Sequence, residues 1–384
     1  MMFGYPLRPA ARATSPLKGK AGSKPKNRDR NLAPPLGGSC RHSRLRGAAL
    51  LCALLFSLTA CAPSMEEISN TYLAMDTVMN LTIYHDDPES GVDRVYQDEV
   101  QGIYDLERLF SVVDEDSDIH NLNANCGQLV EIAPETAELL AEALTLCEET
   151  GGALDITAYP AVKAWVFTTG EYRVPGAAEL TELAGRIDYT RVELEGETAC
   201  ISEGMMLDLG AVAKGYTADR LTGTFRDVGV EHALLDLGQS TIAAIGTKPD
   251  GTPWRIGIQD PAGTDYLGVL ELNDQSMGSS GNYQRYFEEN GKIYGHIIDP
   301  DTAAPADSGL AGVTVVADSA FLCDGLSTAL FVMGLEDAAD YWRGNRDFEA
   351  IFIGDSGDIT ITPGLKESFS LVEGYKDREV NVLE

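Results

Sequence analysis

Beyond residue 60 the sequence is short of basic side chains. Residues 1–60 hold 11 of the chain's 29 Lys and Arg and one of its 60 Asp and Glu, so residues 61–384 carry 18 basic against 59 acidic groups, a net charge of −41. So acidic a body argues against nucleic acid as a partner and against an electrostatic grip on anionic lipid. Any polyanionic ligand must meet a local exception, either a metal ion or a well-placed Lys. Paired cysteines are lacking too. Cys126, Cys147, Cys200 and Cys323 follow Cys61 with no CxxC spacing, which excludes a cysteine-rich zinc site and a dense disulfide framework but leaves a single bridge open. Histidine is scarce, and only His85, His120, His232 and His296 lie after residue 60. The Walker pattern GxxxxGK[ST] is absent. No internal repeat or low-complexity tract follows residue 65.

What is present begins with an export signal. Residues 1–46 are rich in Arg, Lys, Pro and Gly, and "GAALLCALLFSLTAC" then carries an apolar core from Ala48 to Ala60, preceded by Arg41, Arg44 and Arg46. A basic region, a short apolar region and small residues before a cleavage point make a secretory signal, and the run is too short for a comfortable membrane span. The ending Leu58-Thr59-Ala60-Cys61 resembles the lipobox of bacterial lipoproteins, in which Cys61 would be lipidated and become the mature N-terminus. The expected organisation is a basic lead and signal peptide over 1–60, a tether over 61–70 and a folded body over 71–384, as one domain or two intimately joined lobes.

In the body, "VMNLTIY" (78–84) alternates as a half-buried strand does, and apolar residues recur at helical spacing over 91–110. A helix is expected over 134–150, with Pro134 and acids in its first turn and Gly151-Gly152 stopping it. A short helix within a loop follows over 170–190, then a hairpin over 191–202 around Glu195-Gly196. A strand ends at Leu207–Leu209 and a helix spans 212–226. Strands follow at 233–237, 241–246, 254–259, 267–272, 293–298 and 312–317. Helices near 318–333 and 336–343 precede a last strand, "AIFIG". Residues 276–292 read as a Gly/Ser turn followed by aromatic and basic residues. Helices and strands mix without βαβ alternation, which predicts an α+β fold of mixed sheets with packed helices.

Three segments carry chemistry. In "CDGLSTALFVMG" (323–334) an apolar helix opens with oxygen-bearing side chains. Asp324 and Thr328 are four apart and share a helix face, and a carboxylate beside a hydroxyl suits Mg²⁺ or Ca²⁺ rather than zinc. Taken alone, Asp324 reads more simply as an N-cap and Thr328 as a packed core residue. In "DLGAVAKGY" (208–216), Gly210 permits a tight turn into a helix carrying Lys214, which can reach a phosphate; a plain strand-to-helix turn with a solvated Lys fits as well. In "YGHIIDPDTAAP" (294–305), His296 shares a strand face with Tyr294 and Ile298, and a lone strand histidine is commonly structural.

Their order is more specific than any one of them. "MDTVMNLTIY", "GGALDITAYPAVKAW", "DLGAVAKGYTADRL", "ALLDLG", "WRIGIQDP", "SSGNYQRYF", "YGHIIDPDTAAP" and "ADSAFLCDGLSTALFVMG" together resemble the ApbE family of flavin transferases over about residues 70–355. The resemblance implies an enzyme that uses FAD and Mg²⁺ and attaches FMN, through a phosphoester, to a Thr or Ser hydroxyl of a partner protein. Some relatives hydrolyse FAD to FMN and AMP instead, and a lipid-anchored flavin-binding protein without chemistry is a third reading. It also implies that Asp324, Thr328 and the carbonyl of Ala211 hold Mg²⁺. Lys214, Asp208, Met75, the turn Ala153-Leu154-Asp155 and Ile297 or Ile298 then contact FAD, and His296 or Asp208 is the general base. Many members are exported lipoproteins, in line with Cys61 and with an anchor on the outer face of the bacterial cytoplasmic membrane. Four positions depart from the family pattern. Val113 stands where an aromatic is common, Gln239 and Ala303 where Gly is frequent, and Asn282 where an acid is common. They bear on substrate affinity more than on reaction class.

Overall fold

The computed structural model describes residues 65–86, 91–167, 172–283 and 285–384; the basic lead, the signal and Cys61 lie outside them. Its centre is a nine-stranded sheet whose strands succeed one another across the sheet in chain order: β1 (Glu66–Ala74), β2 (Thr77–His85), β3 (His232–Leu237), β4 (Thr241–Ile245), β5 (Ser276–Gly281), β6 (Leu310–Ala317), β7 (Glu349–Gly354), β8 (Ile359–Ile361) and β9 (Val380–Val382). Neighbours run antiparallel up to β8, and β9 alone is parallel to its neighbour. The helices of the described residues are α1 (Val92–Phe110), α2 (Asp118–Ala124), α3 (Pro134–Glu149), α4 (Tyr159–Trp165), α5 (Ala177–Ala184), α6 (Ala213–Asp227) and α7 (Ala320–Gly344). This is the α+β fold expected.

Both faces of the sheet are covered, and strand alternation sorts the residues between them. Leu235, Leu237, Ala243 and Ile245 pack with α1 and α6, while Val313, Val315, Ala350 and Phe352 pack with α3 and α7. The intervening Ile242, Ala244, Val316, Ile351 and Ile353 face the other way, against the antiparallel strands Trp254–Gln259, Tyr266–Leu272 and Phe369–Leu371. A smaller core joins α4 and α5 to Phe287, Ile298 and Ala303.

The strand at 78–84, the helices at 91–110, 134–150 and 212–226 and the hairpin around Glu195-Gly196 all stand as expected. Four expectations are corrected. The strand expected at 293–298 is split into Lys292–Gly295 and Ile298–Asp299, which leaves His296 in the bend between them rather than on a strand face. The Gly/Ser stretch at 276–281 is no turn but β5, in the middle of the sheet, because a Cβ on Gly278 would lie 2.4 Å from the Cys323 carbonyl of α7. Smallness there admits a helix backbone rather than a bend. Residues 207–209 belong to no strand. The side-chain amide of Asn123 replaces a partner strand, donating to the Leu207 carbonyl (2.9 Å) and accepting its N–H (2.6 Å). Residues 66–70, expected as tether, form the first half of β1, paired with residues 81–85. Hydroxyl and amide cross-strand pairs, Ser69–Thr82 and Thr71–Asn80, at 2.7 Å each, give this polar strand its register. The expected pair of helices at 318–333 and 336–343 is α7, broken at Gly334 (φ 78°, ψ 170°).

Gln239 and Ala303, the positions where the family frequently has Gly, adopt φ of 64° and 53°. A left-handed conformation costs a non-glycine residue about 1–2 kcal/mol, of which a glycine returns part as chain entropy. Gln239→Gly, in the exposed turn between β3 and β4, should therefore raise stability by about 0.5–1 kcal/mol, and Gly278→Ala should lower it by about 1–3 kcal/mol. Denaturant unfolding of the two variants checks both signs.

Candidate active site

The site forms where α6 and α7 meet the sheet. Glycine sets the approach: a Cβ on Gly215 of α6 would lie 2.3 Å from the Ala320 carbonyl oxygen of α7. The two helices therefore cross backbone to backbone. Asp219 of α6 receives the first turn of α7, accepting from Ser319 Oγ and Ala320 N at 2.7 Å each and from Phe321 N at 2.9 Å. An acid at a helix N-terminus satisfies donors that have no partner within the helix. The N-cap itself is Ser319, whose Oγ accepts from Leu322 N. Asp324 is therefore not the cap, and its carboxylate is used elsewhere.

Asp324 is buried, 5% exposed. Its Oδ1 accepts from Thr241 Oγ1 of β4 at 2.5 Å, its Oδ2 accepts from the Gly215 N–H at 2.8 Å, and Lys214 Nζ lies 3.5 Å from Oδ2. Burial pushes its carboxyl up, and the Lys214 charge and the two donors oppose that. One helical turn on, Thr328 Oγ1 lies 3.0 Å from Ser280 Oγ of β5, which also meets Ser327 Oγ at 2.8 Å. Because the Gly215 N–H goes to Asp324, α6 opens at Ala213, and the Ala211 carbonyl stays outside its hydrogen-bond ladder.

Those residues fit a hard cation. An ionised carboxylate has about four lone-pair positions, and the two donors and Lys214 leave one open on Asp324. Thr328 offers a hydroxyl and Ala211 a carbonyl. Among the described residues no group of three or more His, Cys, Asp or Glu is placed to hold a metal. A cation here would be held by mixed oxygen ligands, as suits Mg²⁺.

Asp208 and His296 complete the cluster. Asp208 Oδ1 accepts from Gly210 N at 2.8 Å, closing the turn into α6. Burial pushes its carboxyl up, against the Gly210 N–H and the charges of Arg285 and Lys214. The same two cations act on His296, whose imidazole is brought down to about 4, first by burial and then by Arg285. His296 Nδ1 is 3.2 Å from the Arg285 carbonyl oxygen. A carbonyl only accepts, so Nδ1 carries the hydrogen and Nε2 keeps its lone pair.

The remaining sequence candidates divide. Met75 and Asp76 form the two-residue turn between β1 and β2, both left-handed (φ 48° and 57°). Met75 N donates to Glu107 Oε1 of α1 at 2.9 Å, and Met75 Sδ lies 3.9 Å from Thr217 Oγ1 of α6, so this turn reaches the helix that carries Lys214. Leu154 is a core residue, 3% exposed, packed beneath α7. Asp155 spends its carboxylate on Thr157 N, Thr157 Oγ1 and Tyr189 N. In that turn Ala153 is partly buried and packs against the main core. Ile297 is buried in the main core, and Ile298 packs with Trp165 and Phe287. Cys126, Cys147, Cys200 and Cys323 are all free thiols. Thr241, Ser280, Asp219, Glu107 and Arg285 escaped the sequence reading. In sequence the first two look like ordinary strand and turn residues.

The family model described as ApbE family matches residues 75–352. The chain belongs to the ApbE family. Within it, the chain is similar to a protein of Haemophilus influenzae named FAD:protein FMN transferase, 31% identical over 331 residues that cover 83% of this chain and 95% of the relative. A Klebsiella pneumoniae protein of the same name is 32% identical over 318 residues, covering 80% and 96%. Solved ApbE structures share the fold. The ApbE protein of Thermotoga maritima gives a TM-score of 0.73 at 28% identity, covering 79% of this chain and 99% of that one. The apo flavinyl transferase ApbE of Pseudomonas stutzeri gives 0.71 at 28% identity, covering 79% and 97%.

A histidine held near 4 has a definite signature. Between pH 6.5 and about 4 the unfolded chain binds a proton at His296 that the folded chain does not, so this residue's effect is a loss of stability as pH falls through that window. In the ligand-free protein, an NMR titration should place the His296 ring midpoint near 4; a midpoint at the ordinary 6.5 would contradict the environment described.

Proposed function

We propose that this chain is a Mg²⁺-dependent FAD:protein FMN transferase, which moves FMN from FAD to a Thr or Ser hydroxyl of a partner protein and releases AMP. The observation that carries the reading is the buried Asp324 carboxylate, one helical turn from Thr328 and 3.5 Å from Lys214, in an otherwise very acidic protein. Membership of a family whose relatives bear that enzyme name supports the reaction class.

The bond that forms joins the acceptor's hydroxyl oxygen to the phosphorus on the riboflavin side of FAD. The bond that breaks joins that phosphorus to the bridging oxygen, whose electron pair leaves with AMP. His296 takes the hydroxyl proton on Nε2, being neutral at physiological pH and steered through Nδ1 by the Arg285 carbonyl. Asp208 is the other candidate, with one carboxylate oxygen committed to Gly210. Lys214 neutralises phosphate charge that the body would otherwise repel. Asp324, Thr328 and the Ala211 carbonyl would hold Mg²⁺, which when bound would supply Lewis-acid charge stabilisation. No covalent enzyme intermediate is required.

The proposed setting is the outer face of the bacterial cytoplasmic membrane, with the body tethered through lipid on Cys61. Its support is the sequence Leu58–Cys61 behind an apolar run. Among the described residues no helix is long and apolar enough to cross a membrane. The acceptor is then an exported or membrane-borne protein.

The test incubates the mature protein with FAD, Mg²⁺ and a Thr-bearing acceptor. Flavin fluorescence retained on the denatured acceptor, with stoichiometric AMP, is the expected result. Free FMN alone would indicate hydrolysis, and tight FAD retention without AMP a carrier. Asp324→Ala or chelation of Mg²⁺ should slow AMP release by about 10²–10³-fold, the scale of losing one preorganised electrostatic contact. Undiminished AMP release from Asp324→Ala would remove the metal assignment.

A further inference from the structure

Thr241 is a buried hydroxyl in a run of five buried strand residues, Thr241–Ile245. Its neighbours Ile242, Ala243 and Ala244 are apolar, and it is 0% exposed. A β-branched side chain suits the strand, but Val would serve the packing equally and would not bury a hydroxyl. Burying a hydroxyl costs stability unless its hydrogen is used. Here the hydrogen goes to Asp324 Oδ1 at 2.5 Å. An ionised carboxylate only accepts, so the hydroxyl is the donor.

We propose that Thr241 is a positioning residue for cation binding: it fixes the plane of the Asp324 carboxylate so that one lone pair faces the site. The carboxylate is gripped from two elements, Thr241 of β4 on Oδ1 and the Gly215 N–H of α6 on Oδ2. A carboxylate with a donor on each oxygen cannot turn about its own axis without breaking one of them. Thr328, the other proposed ligand on α7, shares a hydroxyl–hydroxyl hydrogen bond with Ser280 of the adjacent strand β5, at 3.0 Å. Neighbouring strands thus each lend a hydroxyl to one ligand of the helix above. Groups that orient a ligand in this way commonly set metal affinity by 10–100-fold when altered. The inference rests on the reading of Asp324 as a cation ligand.

The experiment measures Mg²⁺ affinity of the mature protein by calorimetry, and Mn²⁺ affinity by electron paramagnetic resonance, without FAD turnover. The set is wild type, Thr241→Val, Thr241→Ser and Asp324→Ala. Thr241→Val keeps the volume and should weaken cation binding about 10–100-fold, while Thr241→Ser keeps the hydroxyl and should recover most of it. Equal affinity in wild type and Thr241→Val overturns the proposal, and so does an equal loss in the Val and Ser variants, which would trace the effect to packing. Asp324→Ala separates the two levels. If it abolishes binding while Thr241→Val does not, the ligand assignment stands and the role of Thr241 falls; if it leaves binding intact, both fall.

Discussion

The buried carboxylate of Asp324 is the constraint around which the site is built. A charge cannot leave water without partners, and removing one partner of a buried ion pair commonly costs about 3–5 kcal/mol. Asp324 is met by a hydroxyl from β4, a main-chain N–H from α6 and an ammonium one residue before that N–H. The hydroxyl meets Oδ1 from the sheet and the other two meet Oδ2 from α6, so the carboxylate, itself on α7, ties sheet and both helices together at one point. The close crossing at Gly215 is what brings that N–H within 2.8 Å. Geometry that looks like packing is therefore also electrostatics.

The same point resolves a conflict in the composition. A body with net charge −41 beyond residue 60 repels a dinucleotide. Two cations, Lys214 and Arg285, act together on Asp208 and His296, and a metal held on Asp324 would add to them. Locally these cations offset the carboxylates of Asp208 and Asp324, against the large negative excess of the body as a whole. His296 stays neutral in that field, and its Nδ1 hydrogen is committed to a main-chain carbonyl. Burial first, and the two cations after it, keep the His296 ring unprotonated, so Nε2 has a lone pair with which to accept a proton.

Strain is distributed unevenly. The turn Met75-Asp76 holds two non-glycine residues in the left-handed region, where a two-residue hairpin turn favours Asn and Gly. Glu107 bonds the Met75 N–H and so stabilises the turn against α1. Such strain persists where surrounding structure over-determines it, and it gathers at functional sites. Gln239 and Ala303 carry the same conformation at positions where the family pattern often has glycine. Those departures are legible in sequence, but their backbone consequence is not.

Much of the architecture could be read from periodicity alone. Residues 78–84, 91–110, 134–150 and 212–226 announce themselves because one face of each is apolar at the strand or helix repeat. The pairing of Asp324 with Thr328 was legible for the same reason, since four residues on a helix return to the same face. What failed was the reading of small and polar residues. Ser276–Gly281 looked like a turn and is a central strand, because Gly278 makes room for α7. Residues 66–70 looked like tether and are a strand, because Glu67 and Ser69 pair with Tyr84 and Thr82 of β2. The sequence by itself determined the element types, the acidic surface, the candidate ligands and, through ordered motifs, the family. Only the tertiary structure decided that Thr241, Gly215 and Lys214 converge on Asp324, because they come from segments 83 to 110 residues distant in the chain. Local pattern carries no information on which distant donors will satisfy a buried charge.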